Sequence, residues 1–315
     1  MSLKKKITSY TEIFSNNLNT VKDSCFSKDL STIKEFDDKI IAIKNLIEEA
    51  DAIVIGAGAG LSTSAGLAYD GERFEKLFPE YIEKYNFTDM YSAGFYPFDT
   101  QEEKWAYWSR QIYYNRYEVE VGKPYLDLLE IVKDKNYFVL TTNVDYQFQL
   151  AGFPEEKIFA TQGDYGLWQC ARACHNKLYP NKSQVSEMVK TQNDCKISSD
   201  LVPKCPVCGG QMENNLRADN FFVEDENWHK SCKRYEDFLI ENKDKNIVFL
   251  ELGVGMNTPV IIKYPYWKFT LQLKNARYVC INLNEAYTPD QILNKSICIN
   301  YDIGKTLEKI IFSTF

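Results

Sequence analysis

Residues 53–66 read Ile-Val-Ile-Gly-Ala-Gly-Ala-Gly-Leu-Ser-Thr-Ser-Ala-Gly. Ile53, Val54 and Ile55 form a short apolar run suited to a central parallel strand. The glycine-dense turn that follows brings backbone N–H groups close to whatever lies above it. Gly56, Gly58 and Gly60 are expected to permit positive φ and to leave no Cβ against a ligand. A helix opening near Ser62 would aim its free N–H groups at a phosphate. A ligand-free strand-to-helix turn needs glycines too, so that reading stays open beside the diphosphate cradle. No Gly-Lys-Ser/Thr follows, which argues against a P-loop. No clean acidic residue stands about 20 positions on at a second strand end, which argues against a standard dehydrogenase.

Outward from this stretch, six β-type runs are expected at 53–55, 137–141, 158–161, 247–252, 278–282 and 296–300. Helical stretches or longer excursions separate them. The alternation predicts an α/β fold with a doubly wound, six-stranded parallel (Rossmann-like) sheet. Ligands of such sheets sit at the carboxyl ends of the strands, at the switch point. The expected division is a helical N-terminal extension at 1–50, a Rossmann-like domain at 51–168 and 240–315, and a small zinc-binding module at 169–239. Ile40, Ile41, Ile43, Leu46 and Ile47 fit one face of a helix leading into the first strand. A helical insertion at 69–118 is dense in aromatic residues, among them Trp105, Tyr107, Trp108, Tyr113, Tyr114 and Tyr117. It reads either as a lid over the site or as a plain helical core.

The chain has 315 residues, of which 37 are Lys or Arg and 44 are Asp or Glu, a net charge of −7. That balance argues against nonspecific binding to nucleic acid or membrane surfaces. No run of about 18 apolar residues marks a membrane span. The first residues are basic, but no apolar segment follows as in a signal peptide, so a cytoplasmic protein is expected. Nine cysteines, an odd number, point to thiols and metal rather than a disulfide scaffold.

Three polar motifs fall at strand ends. Thr142-Asn143-Val144-Asp145 puts an amide and a carboxylate two residues apart. The amide can hydrogen-bond a ribose hydroxyl, and the carboxylate can stabilise positive charge on a sugar. An Asx turn with an N-cap explains the same residues equally well. Thr161-Gln162-Gly163-Asp164 ends the next strand. Cys170 and Cys174, then Cys205 and Cys208 in Cys-Pro-Val-Cys-Gly-Gly, make two close thiol pairs suited to tetrahedral Zn²⁺. The first pair has an unusual spacing, so Cys195, Cys232 and His229 stand as reserve ligands. Four thiolates leave no open position, so a structural zinc is expected.

Taken in order, these parts resemble the sirtuins, an NAD-consuming family of deacylases and ADP-ribosyltransferases. Residues 58–66 look like its nucleotide loop, Thr141-Thr142-Asn143-Val144-Asp145 like its TQNxD motif, and the cysteine pairs like its zinc ribbon. Leu216-Arg217 through Phe221-Phe222-Val223-Glu224 resembles the segment lining its acyl-peptide groove. The resemblance implies that Gly58, Ala59, Gly60 and Ser62 cradle the NAD diphosphate. It implies that Gly253, Val254, Gly255 and Asn257 take phosphate and ribose, and Asn282, Tyr301 and Asp302 the adenosine. Asn143 and Asp145 would hold the nicotinamide ribose and support bond cleavage.

Three departures matter. Gln162 occupies the place of the family's catalytic His. Thr142 replaces the Gln of TQN. Residues 67–74 replace an IPDFR segment, with Asp70 and Arg73 as loose stand-ins. An amide has no pKa near 7 and cannot serve as the general base of deacylation. Nicotinamide cleavage is therefore expected to survive, with ADP-ribose passing to a protein nucleophile. The Gln, the cysteine spacing and the loop are similar to the macrodomain-linked (class M) microbial sirtuins, which are protein mono-ADP-ribosyltransferases. That resemblance implies a lipoylated glycine-cleavage H-like carrier protein as acceptor and a macrodomain ADP-ribosyl hydrolase as functional partner. A deacylase using another base, and an NAD or ADP-ribose sensor without turnover, are the rival readings.

Overall fold

A computed structural model describes residues 29–256 and 258–312 of the chain. Asn257 and most of the expected N-terminal extension lie outside the described residues. In chain order, α1 (Phe36–Glu49) leads into β1 (Ala52–Ala57) and the short α2 (Ala59–Ser64). Four helices follow in the insertion: α3 (Gly71–Leu77), α4 (Pro79–Tyr85), α5 (Met90–Ala93) and α6 (Gln101–Ile112). Next come α7 (Lys123–Val132), β2 (Tyr137–Thr141), α8 (Gln147–Leu150) and β3 (Ile158–Ala160). A second small group comprises β4 (Gly163–Cys170), β5 (Tyr179–Pro180), α9 (Lys182–Thr191) and β6 (Met212–Leu216). The chain then returns through α10 (Glu226–Asn242), β7 (Ile247–Leu252), α11 (Lys263–Gln272), β8 (Ala276–Asn282), β9 (Ser296–Asn300) and α12 (Ile303–Phe312).

The six expected strands form one parallel sheet in the order β3-β2-β1-β7-β8-β9. Every residue of β1, β2, β7 and β8 is buried, as continuous apolar runs covered on both faces require. The chain winds outward from β1 through β2 to β3, then restarts on the other side of β1 with β7. The switch point therefore lies between β1 and β7, and their carboxyl ends define the crevice.

One face of the sheet is covered by α1, α7 and α12, whose Ile43, Leu128 and Leu307 are fully buried against Ile53, Val139 and Val279. Ile41 turns outward, 45% exposed, so it leaves the apolar face on which the sequence pattern put it. The other face is covered by α10 and α11 through Tyr235, Leu239, Tyr266 and Phe269. α10 runs across the module boundary expected at 239–240 and packs on Phe138 and Phe159 of the main sheet. The sequence hid this because most of its exposed face is charged.

The insertion has its own aromatic core, with Phe74, Phe78, Tyr81 and Tyr107 fully buried. Trp105 of α6 turns the other way and meets Trp168 of β4, ring centroids 4.9 Å apart. A three-stranded antiparallel sheet, β5-β4-β6, carries the cysteines. The sequence did not predict this sheet, because Gly163–Cys170 and Met212–Leu216 mix polar and apolar residues without clean alternation.

Candidate functional site

The two glycine loops at the switch point grip each other backbone to backbone. The Gly58 N–H donates to Leu252 O, and the Gly60 N–H to Gly253 O, each at 3.0 Å. A Cβ on Gly58 would stand 2.7 Å from Gly253 O, and one on Gly60 2.7 Å from Gly253 Cα. Gly253 has φ +64, the conformation that lets the second loop turn back. Gly56, Gly58 and Gly60 do not have positive φ, contrary to the reading from sequence. A Cβ on Gly56 would meet Ile262 and Tyr266 instead of a ligand. α2 begins at Ala59, three residues before Ser62, and leaves Ala59 exposed at the rim.

Asn143 and Asp145 converge on Ser62 from the end of β2. Asn143 Nδ2 donates to Gly58 O at 3.0 Å, to Ser62 Oγ at 3.0 Å and to Tyr125 OH at 3.2 Å. Ser62 Oγ donates to Asp145 Oδ2 at 2.5 Å, and the Gln147 N–H to Asp145 Oδ1 at 3.1 Å. Both carboxylate oxygens of Asp145 are thus engaged within the protein. Burial raises its pKa above the ordinary 3.8, partly countered by the Ser62 and Gln147 hydrogen bonds. The Ser62 hydroxyl serves this network, so only its backbone remains free to face a diphosphate. The sequence reading missed Tyr125, whose position early in α7 carries no motif.

Gln162 is half-buried at the mouth of β4, and its carbonyl accepts from the Arg217 N–H at 3.0 Å. Its carboxamide has no hydrogen-bond partner among the described residues and is free to meet a ligand. Gly163 beside it has φ +101, and a Cβ there would collide with Asn215 O. Arg217 pairs with Glu224 at 2.8 Å and lies over the Phe222 ring at 4.1 Å. Phe221 is 54% exposed, leaving this segment open as a surface. From the insertion side, Arg116 pairs with Asp164 at 2.8 Å and stacks on the Tyr146 ring at 3.6 Å. Arg116 sits in a single π-turn, Tyr113–Tyr117, a local irregularity found disproportionately at functional sites. Arg73 is spent on structure: it donates to Ala68 O, Tyr114 O and Asn115 Oδ1. Asp70 is exposed at the start of α3.

At the far side of the crevice, Asn282 is buried and its Nδ2 donates to Val254 O at 3.1 Å. The Met256 N–H donates to Glu285 at 3.0 Å, holding the loop that begins at Gly253, with Gly255 half-buried beside it. Tyr301 is exposed, its ring edge-on to Phe36. Asp302 accepts from Ser64 Oγ at 2.9 Å and the Lys305 N–H at 2.8 Å, so its carboxylate is committed to capping α12.

Cys170, Cys174, Cys205 and Cys208 gather with all four sulfurs within 4.8 Å of one another. Cys170 to Cys208 and Cys174 to Cys205 each measure 3.7 Å. A tetrahedron with Zn–S bonds of about 2.3 Å has edges of about 3.8 Å, which both close sulfur pairs match, so the cluster suits Zn²⁺. His175 contacts Cys174 Sγ through Nδ1 at 3.0 Å and Tyr179 OH through Nε2 at 2.9 Å, an outer-shell support. The reserve ligands stand elsewhere: Cys195 in the aromatic core of the insertion, Cys232 and His229 on α10.

A doubly wound sheet with its ligand loops at the switch point and a four-thiolate module beside them defines a dinucleotide-binding α/β protein with a structural metal ribbon. The chain belongs to the Sir2 family, whose model matches residues 58–248. It is 40% identical to a protein ADP-ribosyltransferase of Staphylococcus aureus, over 83% of this chain and 84% of that one. It is 28% identical to a probable bifunctional ADP-ribose hydrolase/ADP-ribosyltransferase of Fusarium oxysporum, over 83% of this chain and 46% of that one. The structure of Sir2Tm bound to a propionylated peptide superposes with a TM-score of 0.54 at 17% identity, covering 87% of this chain and 97% of that one. At that identity the superposition speaks for the fold.

Proposed function

We propose that the chain is an NAD-dependent protein mono-ADP-ribosyltransferase of sirtuin type, with a lipoylated glycine-cleavage H-like carrier protein as acceptor. The observation that carries the reading is Gln162, half-buried at the mouth of β4, where the sequence resemblance puts the family's general base. Deacylation needs a group there that removes a ribose proton, and a carboxamide removes none. Loss of a general base costs roughly 10²–10⁴-fold, enough to suppress one outcome and leave the other. Cleavage of the nicotinamide bond does not need that base. Asn143 binds and orients the ribose, and the buried negative charge of Asp145 favours the positive charge that develops on it. Gln162 offers its free carboxamide to the same sugar. The acceptor side chain then attacks C1′, and nicotinamide leaves with the bonding electrons.

The Staphylococcus aureus relative, named for this activity, supports the transferase reading over most of the chain. The Fusarium oxysporum relative is named for hydrolase and transferase activities in one chain, which supports an ADP-ribosyl hydrolase as functional partner. A thiolate zinc site and free cysteines suit a reducing, cytoplasmic setting.

The test uses labelled NAD with the purified protein and a lipoylated carrier, an unlipoylated carrier and an acyl-lysine peptide. The reading requires label on the lipoylated carrier alone. Label on neither carrier together with a deacylated peptide would overturn it in favour of a deacylase. Absence of both products and of nicotinamide would leave a sensor.

A further inference from the structure

Tyr125 is fully buried in an apolar cluster with Ile55, Ala57, Leu61 and Phe148, its ring edge-on to Phe148 at 5.0 Å. A phenylalanine would fill that space at no desolvation cost, whereas a buried hydroxyl costs free energy unless it is hydrogen-bonded. The hydroxyl reaches Ser62 Oγ at 2.8 Å and lies 3.2 Å from Asn143 Nδ2.

The proton pattern here is forced. As a carboxylate, Asp145 accepts at Oδ2, so the single Ser62 proton goes to it. Tyr125 must then donate to Ser62 Oγ and accept from Asn143. Gly58 O also only accepts, so the group facing it is the Asn143 NH₂. Both amide protons are consumed by Gly58 O, Ser62 and Tyr125. The opposite edge of the carboxamide, Oδ1, is left without a partner among the described residues and faces away from this cradle.

We propose that Tyr125 is a positioning residue that fixes the Asn143 carboxamide with Oδ1 presented to the cleft, so that Asn143 accepts a hydrogen bond from a ribose hydroxyl rather than donating one. The inference rests on the reading of Asn143 as the ribose-contacting group. Without the phenol, Asn143 keeps Gly58 O and Ser62 Oγ as anchors but loses one wall of the cradle, and Ser62 loses the donor that holds it, so the amide gains rotational freedom. Freedom of this kind costs rate more than binding, because the bond-breaking step depends on orientation.

The experiment compares the full chain with its Tyr125→Phe variant by nicotinamide release without a carrier protein, water taking the acceptor's place at C1′. We expect kcat to fall about tenfold, KM for NAD to stay within about twofold and Tm to change little. Side-chain amide exchange of Asn143, followed by ¹⁵N NMR and assigned by the signal lost in Asn143→Ala, should quicken in Tyr125→Phe. Unchanged kcat with unchanged exchange overturns the proposal and leaves the enzymatic reading intact. A drop in Tm with kcat and KM shifting together and exchange unaltered also overturns it, by reducing Tyr125 to packing. A wild-type chain that releases no nicotinamide sinks the enzymatic reading, and the exchange comparison still decides the cradle.

Discussion

At the level of single residues, the proposed function rests on Asn143 for contact with the ribose and on Asp145 for the charge beneath it. Asn143→Ala should abolish nicotinamide release while the fold survives, since only a few half-buried hydrogen bonds of about 1 kcal/mol each are lost. Circular dichroism with an assay for nicotinamide checks both halves; retained turnover would remove Asn143 from the site. Asp145 makes a second prediction. Its folded-state pKa is raised by burial, so protonation favours the folded form. Stability from this group is present below the ordinary 3.8 and is lost as the pH rises through the raised value. Activity runs the opposite way, because the useful form is the carboxylate. The acid limb of kcat/KM should therefore lie above pH 3.8. A pH–rate profile over the range where the protein stays folded checks this, and full activity down to pH 3.8 contradicts it. Asn143 and Gln162 were legible in the sequence because each ends a clear apolar strand. Tyr125 and Arg116 were not, because each reaches the site from a helix or turn whose local sequence carries no motif.

Among the elements, the pairing of β7 with α11 holds an unusual charge. Lys263 Nζ donates to Glu251 Oε1 at 2.5 Å with both side chains fully buried, and Tyr278 OH donates to Glu251 Oε2 at 2.6 Å. Breaking such a pair from one side leaves an uncompensated buried charge, at a cost of about 3–5 kcal/mol. Lys263→Met should lose stability on that scale in urea denaturation, and Glu251→Gln added to it should restore part. An equal loss in the double variant would mean that the pair's charge is not what is felt. Neither partner stood out in the sequence, because Glu251 sits inside the apolar run 247–252 and Lys263 at a helix start. The six parallel strands were readable because burial on both faces leaves nothing but apolar residues in them. The antiparallel β4–β6 sheet escaped because its strands lack clean alternation and its pairing is interrupted between Gly163 and Trp168.

For the molecule as a whole, the cysteine module and the aromatic insertion share one core. Cys170 and Cys205 pack in the same cluster as Trp105 and Ile112 of α6 and Val185 and Met188 of α9. Lys104 of α6 also pairs with Glu213 of β6. Thiolate zinc sites contribute folding energy directly. Cys205→Ser should therefore lower zinc content and Tm together, and hydrogen exchange should quicken in α6 as well as in the module. Full zinc with an unaltered Tm would refute the ligand set, and protection unchanged in α6 would mean that the shared core does not transmit the loss.

The crossing of the two glycine loops has a bearing on descent. Gly58, Gly60 and Gly253 are held to glycine by each other, and Gly56 by Ile262 and Tyr266. None of these constraints involves a nucleotide. A descendant that had ceased to bind any dinucleotide would still meet the same close approaches at all four positions. The glycine signature of such chains is thus a fossil of how two strands meet, and it would outlive the chemistry it is used to recognise.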